Sequence, residues 1–121
     1  MIKVSIEIED IKNFEKICLS KVDEFFTAEE IGERKASLNS YKIRNLAGKF
    51  AAKKSFFKLF GIEEDFRKIQ IKKDSSGKPY IEILDESLKN SLKNSSISVS
   101  ISHTEKVAVA ICLIYENGKG I

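Results

Sequence analysis

The chain has one histidine, His103, which ends the run Ser98-Val99-Ser100-Ile101-Ser102-His103-Thr104, where serines alternate with branched aliphatics. Histidine is the side chain whose unperturbed pKa lies nearest neutral pH, so an imidazole at a strand end beside hydroxyls suits proton transfer or phosphate binding. A structural reading competes with this. By parity with Val99 and Ile101, a continuing strand would aim His103 at the core. Carboxylates gather at the other end of the sequence, where Ser5, Glu7 and Glu9 alternate with Ile2, Val4, Ile6 and Ile8 and so share one strand face. Cations gather between them. From Ser40 to Gly61 the chain carries Lys42, Arg44, Lys49, Lys53, Lys54 and Lys58 with no acidic residue, a segment of +6 in a chain of net charge +3. Such a local field suits an anionic partner, whether phosphate, an acidic protein or nucleic acid, and a solvated helix face is the alternative.

These residues need elements to hold them. The alternation at Ile2–Glu9 predicts a half-buried strand with the aliphatics inward. Asp10 can cap a short helix carrying Ile11, Phe14, Ile17 and Cys18, and Thr27 with Glu30 forms a capping box for a second helix to about Leu38. Ser40 can cap the longest helix, with Gly61 closing it. Its apolar stripe is Ile43, Leu46, Ala47, Phe50, Phe57 and Phe60. Lys54 falls on or beside that stripe, so its stem must snorkel to solvent or its ammonium must meet a carboxylate. A strand at 68–72, a turn at Asp74-Ser75-Ser76-Gly77, a strand at 80–84 and a helix capped by Asp85 follow. Beyond the serine-alternating strand, Val107–Ile114 reads as a strand buried on both faces. The expected fold class is α+β.

With 121 residues and 42% hydrophobic content, the expectation is one domain over residues 1–121 with a modest core and a frayed tail at 116–121. No apolar stretch approaches the roughly 20 residues of a membrane span. Met1-Ile2-Lys3 opens a strand pattern and not a signal peptide, so a cytoplasmic, soluble protein is expected. Cys18 and Cys112 sit in apolar settings without metal-ligand spacing and read as buried reduced thiols. Nucleic acid is not the expected partner, because the basic helix lacks recognition motifs and shares its charges with a buried stripe.

Four segments then align with a known pattern: Ser5-Ile6-Glu7-Ile8-Glu9-Asp10-Ile11, Leu46-Ala47-Gly48-Lys49-Phe50-Ala51-Ala52-Lys53 running on to Lys58, Gly77-Lys78-Pro79, and Ser100-Ile101-Ser102-His103-Thr104. Phe26-Thr27-Ala28-Glu29-Glu30 matches a helix start in the same pattern. In this order the sequence resembles the short 4′-phosphopantetheinyl transferases of the holo-acyl-carrier-protein synthase type, across essentially the whole chain. The resemblance implies a small antiparallel sheet packed on a long central helix. It implies an enzyme that moves the phosphopantetheine arm of coenzyme A onto a carrier-protein serine and releases adenosine 3′,5′-bisphosphate. It also implies a homotrimer with sites between subunits. By the same resemblance His103, Lys53 and Glu7 are the catalytic set. Lys53, Lys58, Ser102 and His103 meet the cofactor phosphates, and Gly77, Lys78 and Pro79 border the adenine end from a neighbouring subunit. The partner is an acidic acyl or peptidyl carrier protein, with Lys16, Lys21, Lys42 and Arg44 as candidate docking residues.

Two positions depart from the pattern, and both are metal ligands. Where the pattern has aspartate the chain has Glu7, and where it has glutamate after the helix lysine the chain has Lys54. Magnesium takes oxygen ligands at about 2.0–2.1 Å, and an ammonium cannot serve as one, which puts the usual magnesium site in question. Glu7 remains as a ligand with Glu9 in reserve. The expectation is that Glu7 and Lys54 form an ion pair in place of the metal. Transfer would then either proceed with less metal dependence or be weakened, leaving a paralogue that binds coenzyme A or a carrier protein.

Overall fold

The structure is a computed structural model that describes residues 1–32 and 39–116. Strand β1 (Ile2–Asp10) runs into helix α1 (Ile11–Phe25), whose N-terminus is capped by the Asp10 carboxylate accepting from Asn13 N–H. Thr27 and Glu30 form the expected capping box at the head of α2 (Ala28–Ile31). That helix ends at Gly32, where φ is 84°, so it stops short of the expected Leu38; residues 33–38 lie outside the described residues. Helix α3 (Ser40–Phe60) is capped by Asn39, one residue earlier than the expected Ser40, through Lys42 N–H. Gly61 closes it in the left-handed region, which glycine adopts without a Cβ penalty. Then follow β2 (Ile69–Lys73), β3 (Pro79–Ile83), α4 (Glu86–Ser91), β4 (Ser95–His103) and β5 (Val107–Glu116). Of the expected 116–121 tail only Glu116 is described, and it is the last residue of β5.

β1, β5 and β4 form a three-stranded antiparallel sheet in that order, and β2 and β3 form a separate hairpin. Helix α3 lies across the three-stranded sheet over its middle strand. There β5 presents Ala108, Ala110 and Cys112, all fully buried and small enough to let a helix approach. Close approach also explains Gly48, where a Cβ would stand 2.6 Å from Ile101 Cγ2 on β4. An aromatic cluster of Phe14, Phe25, Phe26, Phe50 and Phe66 joins α1 to α3 through ring pairs with centroids 4.8–6.5 Å apart. These spacings suit offset and edge-to-face contacts.

The sheet corrects two expectations. The aliphatic row of β1 faces away from α3: Ile2, Val4, Ile6 and Ile8 are 52–63% exposed, while Ser5, Glu7 and Glu9 face the helix. β5 is likewise covered on one face only, with Ile111 and Tyr115 exposed on the other. The register puts the two rows together, pairing Val4 with Leu113 and Ile6 with Ile111, and continues them into Ser98 and Ser100 of β4. One sheet face is therefore packed, and the other is an open apolar surface edged by serines. Both cysteines are buried and free, as expected. Burial holds the Cys112 thiol at a pKa of about 12.

Candidate active site

Two groups of charged residues flank α3, one at each edge of the sheet. The register places Glu9 of β1 opposite Ala108 of β5, and Ala108 opposite His103 of β4. Strands lie about 4.8 Å apart, so the backbones of Glu9 and His103 are roughly 10 Å apart in one row, with the helix over the alanine between them.

On the β4 side is a cleft of about 540 Å³ between the α2–α3 region and the β2–β3 hairpin. His103, Lys49, Lys73, Asn45, Gly77 and Pro79 line it, with Glu29, Glu30 and Ile101. The volume lies within the range of small-molecule sites. His103 is exposed here because β4 ends with it, so parity does not carry it into the core. Gly77, at a φ of 86°, closes a turn in which the Asp74 carboxylate accepts from the N–H groups of Ser76 and Lys78. That turn brings Gly77 and Pro79 to the same cleft as their own chain's His103. Lys78 gives its N–H to the turn and does not line the cleft. Ser102 does not line it either, because successive strand residues point to opposite faces and Ser102 lies on the open one.

Lys49, Lys73 and Asn45 are cleft residues absent from the expected site. One signal was available: Asn45 and Lys49 are four apart on α3 and so share a face. Burial pulls the Lys49 pKa below 10.5, Lys42 adds to this, and Glu30 only partly opposes it. A half-buried cation short of negative charge is suited to receiving an anion.

Lys53 is the plainest correction. It was expected at the pyrophosphate, yet its side chain is fully buried and all three ammonium donors are used. It donates to Glu30 Oε1 at 2.6 Å and to the carbonyls of Phe25 and Phe66 at 2.9 and 2.7 Å. Glu30 accepts in addition from the N–H of Thr27 and of Ile71, which binds α2, α3 and β2 into one frame behind the cleft. Burial lowers the Lys53 pKa, against the charge and hydrogen bond of Glu30. Lys42 of the expected docking set is also engaged, donating to the Glu30 carbonyl at 2.8 Å. Lys16 and Lys21 are exposed on α1, and Arg44 is half-buried.

On the β1 side, the predicted partner of Lys54 is off by one strand step. Lys54 Nζ donates to Glu9 Oε1 at 2.9 Å, and Lys58 Nζ stands 3.4 Å from Glu7 Oε1. Two strand residues advance about 6.7 Å and four helical residues 6 Å, so two pairs form side by side where strand and helix run in opposite directions. Burial alone would depress the Lys54 pKa, but the hydrogen bond and charge of Glu9, joined by Glu7 and Glu64, raise it. Its ammonium also lies 5.4 Å from the Phe50 ring centroid. Glu7, Glu9, Lys54 and Lys58 thus supply two carboxylates already matched by two ammonium groups. This set does not fit magnesium, because an ion between the carboxylates would meet an ammonium.

Comparison with known proteins agrees with this architecture. A family model described as the 4′-phosphopantetheinyl transferase superfamily matches residues 3–112. A holo-[acyl-carrier-protein] synthase of Sulfurovum sp. is 37% identical over 120 residues, covering 93% of this chain and 95% of that protein. The Bacillus subtilis synthase is 35% identical over 99 residues, covering 78% and 69%. Among solved structures, the ACPS–CoA complex from Chronobacterium ammoniagenes aligns with a TM-score of 0.80 at 25% identity, covering 96% of this chain and 98% of that one. The Helicobacter pylori synthase in complex with coenzyme A aligns with a TM-score of 0.77 at 25% identity, covering 93% and 99%. The α+β fold, the order of the motifs and this similarity along nearly the whole length make the chain a member of the 4′-phosphopantetheinyl transferase superfamily.

Proposed function

We propose that the chain transfers the 4′-phosphopantetheine arm of coenzyme A to a serine of an acyl carrier protein. The observation that carries this reading is the cleft that gathers His103, Lys49, Lys73 and the Gly77–Pro79 turn, in a chain whose relatives are holo-acyl-carrier-protein synthases. Three lysines line the cavity, of which Lys72 is paired with Glu29 and Glu82; Lys49, Lys73 and the His103 imidazole suit the phosphates of coenzyme A, and the turn borders the space an adenine would need. In the reaction the carrier serine oxygen attacks the phosphorus next to the pantetheine. A P–O bond of the pyrophosphate breaks, adenosine 3′,5′-bisphosphate leaves, and the serine proton passes to a base. Holding the phosphates in line and neutralising their charge are the main contributions such a site makes. His103 serves as a phosphate-binding residue, and Lys58, beside Glu7 at the other sheet edge, as a further cation.

The homotrimer belongs to the same reading. His103 and the Glu7–Lys58 group sit at opposite edges of one sheet, and the open apolar face of Ile2, Val4, Ile6, Ile8, Ile111 and Tyr115 calls for cover. Assembly through that face would let one chain's β4 edge meet another's β1 edge. Lys16, Lys21 and Arg44 are the docking cations for an acidic carrier protein, which would place the enzyme in lipid metabolism. Among the described residues no helix is long and apolar enough to cross a membrane, in keeping with a cytoplasmic role.

One observation favours a second reading, a paralogue that binds coenzyme A or a carrier without transfer: Lys54 occupies a ligand position and pairs with Glu9. Incubation with apo carrier protein and coenzyme A, followed by mass spectrometry of the carrier, separates the two. Transfer adds the phosphopantetheine mass to the carrier. An unchanged carrier alongside measurable coenzyme A binding decides for the second reading.

A further inference from the structure

Glu7 and Glu9 lie one strand step apart on a half-buried face, their side chains 19% and 12% accessible. Two carboxylates so placed need positive charge close by, since burying like charges together is costly. Lys54 supplies it at 2.9 Å from Glu9, and Lys58 adds a second ammonium 3.4 Å from Glu7. We propose that Lys54 is a built-in cation: its tethered ammonium takes the place of a divalent ion beside Glu7 and Glu9 and serves the ligand's pyrophosphate without metal. The proposal rests on the coenzyme A reading above and deepens it.

Three observations converge. The first is charge. A divalent ion held by a carboxylate at position 54 would add one net positive charge there, and an ammonium adds the same charge with nothing to dissociate. The second is access. The Lys54 side chain keeps 32% of its surface, and among the described residues one of its three donors is spent, on Glu9, which leaves two for a ligand oxygen at the β1 edge. Adjacent Lys53, by contrast, is sealed in with all three donors spent. The third is competition. A divalent ion entering between Glu7 and Glu9 would have to displace a cation held on the same helix turn, against the repulsion of both ammonium groups.

The test titrates coenzyme A into the full-length chain by calorimetry, first with EDTA and then with excess magnesium, and separately follows Mn²⁺ binding by electron paramagnetic resonance. Coenzyme A affinity is expected to agree within about twofold between the two conditions, and the chain to show no saturable Mn²⁺ site. Lys54→Glu is expected to gain a saturable Mn²⁺ site, and its coenzyme A affinity to become magnesium-dependent by about tenfold or more. A loss of tenfold or more on chelation in the unmodified chain overturns the proposal, as does Mn²⁺ binding as tight there as in the variant. Should Lys54→Glu fail to fold, Lys54→Gln is expected to bind coenzyme A about tenfold more weakly in EDTA, and unchanged affinity there overturns it. Failure of coenzyme A to bind under any condition refutes the functional reading instead, and the Mn²⁺ measurement then decides the built-in cation alone.

Discussion

Lys53 and Lys54 are neighbours in sequence, yet one residue of α-helix turns about 100° and gives them unrelated surroundings. Lys53 anchors the frame behind the cleft, and Lys54 faces β1. From the sequence, lysine beside the apolar stripe was a visible anomaly at 54, and its need for a carboxylate partner was legible. Which carboxylate it would find depended on the register between β1 and α3, which no local pattern contains. The buried role of Lys53 was hidden for the same reason, since Glu30 and the two carbonyls come from distant segments. Lys49 was visible as one charge in a basic run, on the helix face it shares with Asn45. Its environment now yields a pH dependence. Burial holds its pKa below the ordinary 10.5, and a bound phosphate would raise it. A group whose pKa rises on binding supports affinity fully below its free pKa, and that support is lost as pH rises from the free to the bound pKa. Coenzyme A affinity is therefore expected to decline with rising pH before exposed lysines titrate near 10.5. Lys49→Arg, which does not titrate in this range, should flatten the decline, and an identical pH profile in that variant would show that Lys49 does not hold the phosphate.

Among the elements, helix ends and turns were the most legible, because caps are local chemistry: Asp10, Thr27 with Glu30, Gly61 and Asp85 all act as their spacing suggests. The orientation of β1 was not legible. An alternating strand reports two faces but not which one the chain covers, and the more apolar row is the natural choice for the core. Here α3 covers the other row, because its lysines pair with Glu7 and Glu9 and because β5 offers it small residues. The closeness of helix and sheet is set on the β4 side by Gly48. Replacing it with alanine would gain about 1 kcal/mol of helix propensity. The added methyl would, however, stand 2.6 Å from Ile101 Cγ2, on a branched side chain with little rotamer freedom. Overpacking of that kind costs about 1–3 kcal/mol, so the strain is expected to win. Gly48→Ala should lower the melting temperature by a few degrees, roughly 3–6 °C for a net loss of about 1 kcal/mol. Ile101 lines the cleft, so coenzyme A binding should weaken with it. A rise in melting temperature would mean that α3 is not held at this distance by Ile101.

For the molecule as a whole, the open sheet face is the feature that one chain cannot explain. Scattered exposed aliphatics are ordinary, but Ile2, Val4, Ile6, Ile8, Ile111 and Tyr115 lie on two paired strands and form one continuous surface. The apolar alternation of β1 then obeys the usual rule at the level of the proposed trimer, with the aliphatics buried between chains. In the proposed trimer the same geometry would couple assembly to chemistry, because the His103 cleft and the Glu7–Lys58 pair sit at opposite edges of the sheet. Sedimentation of the unmodified chain is expected to give the mass of three chains. A single lysine at the centre of the face, Ile6→Lys, puts a charge where assembly would bury it, at a cost of several kcal/mol per chain. That variant should sediment as a monomer with its helical circular dichroism intact, because the position is 52% exposed within one chain. If each complete site draws on two chains, carrier modification should be lost in the same variant. Full transfer by a monomeric Ile6→Lys chain would overturn the shared site while leaving the transferase itself standing.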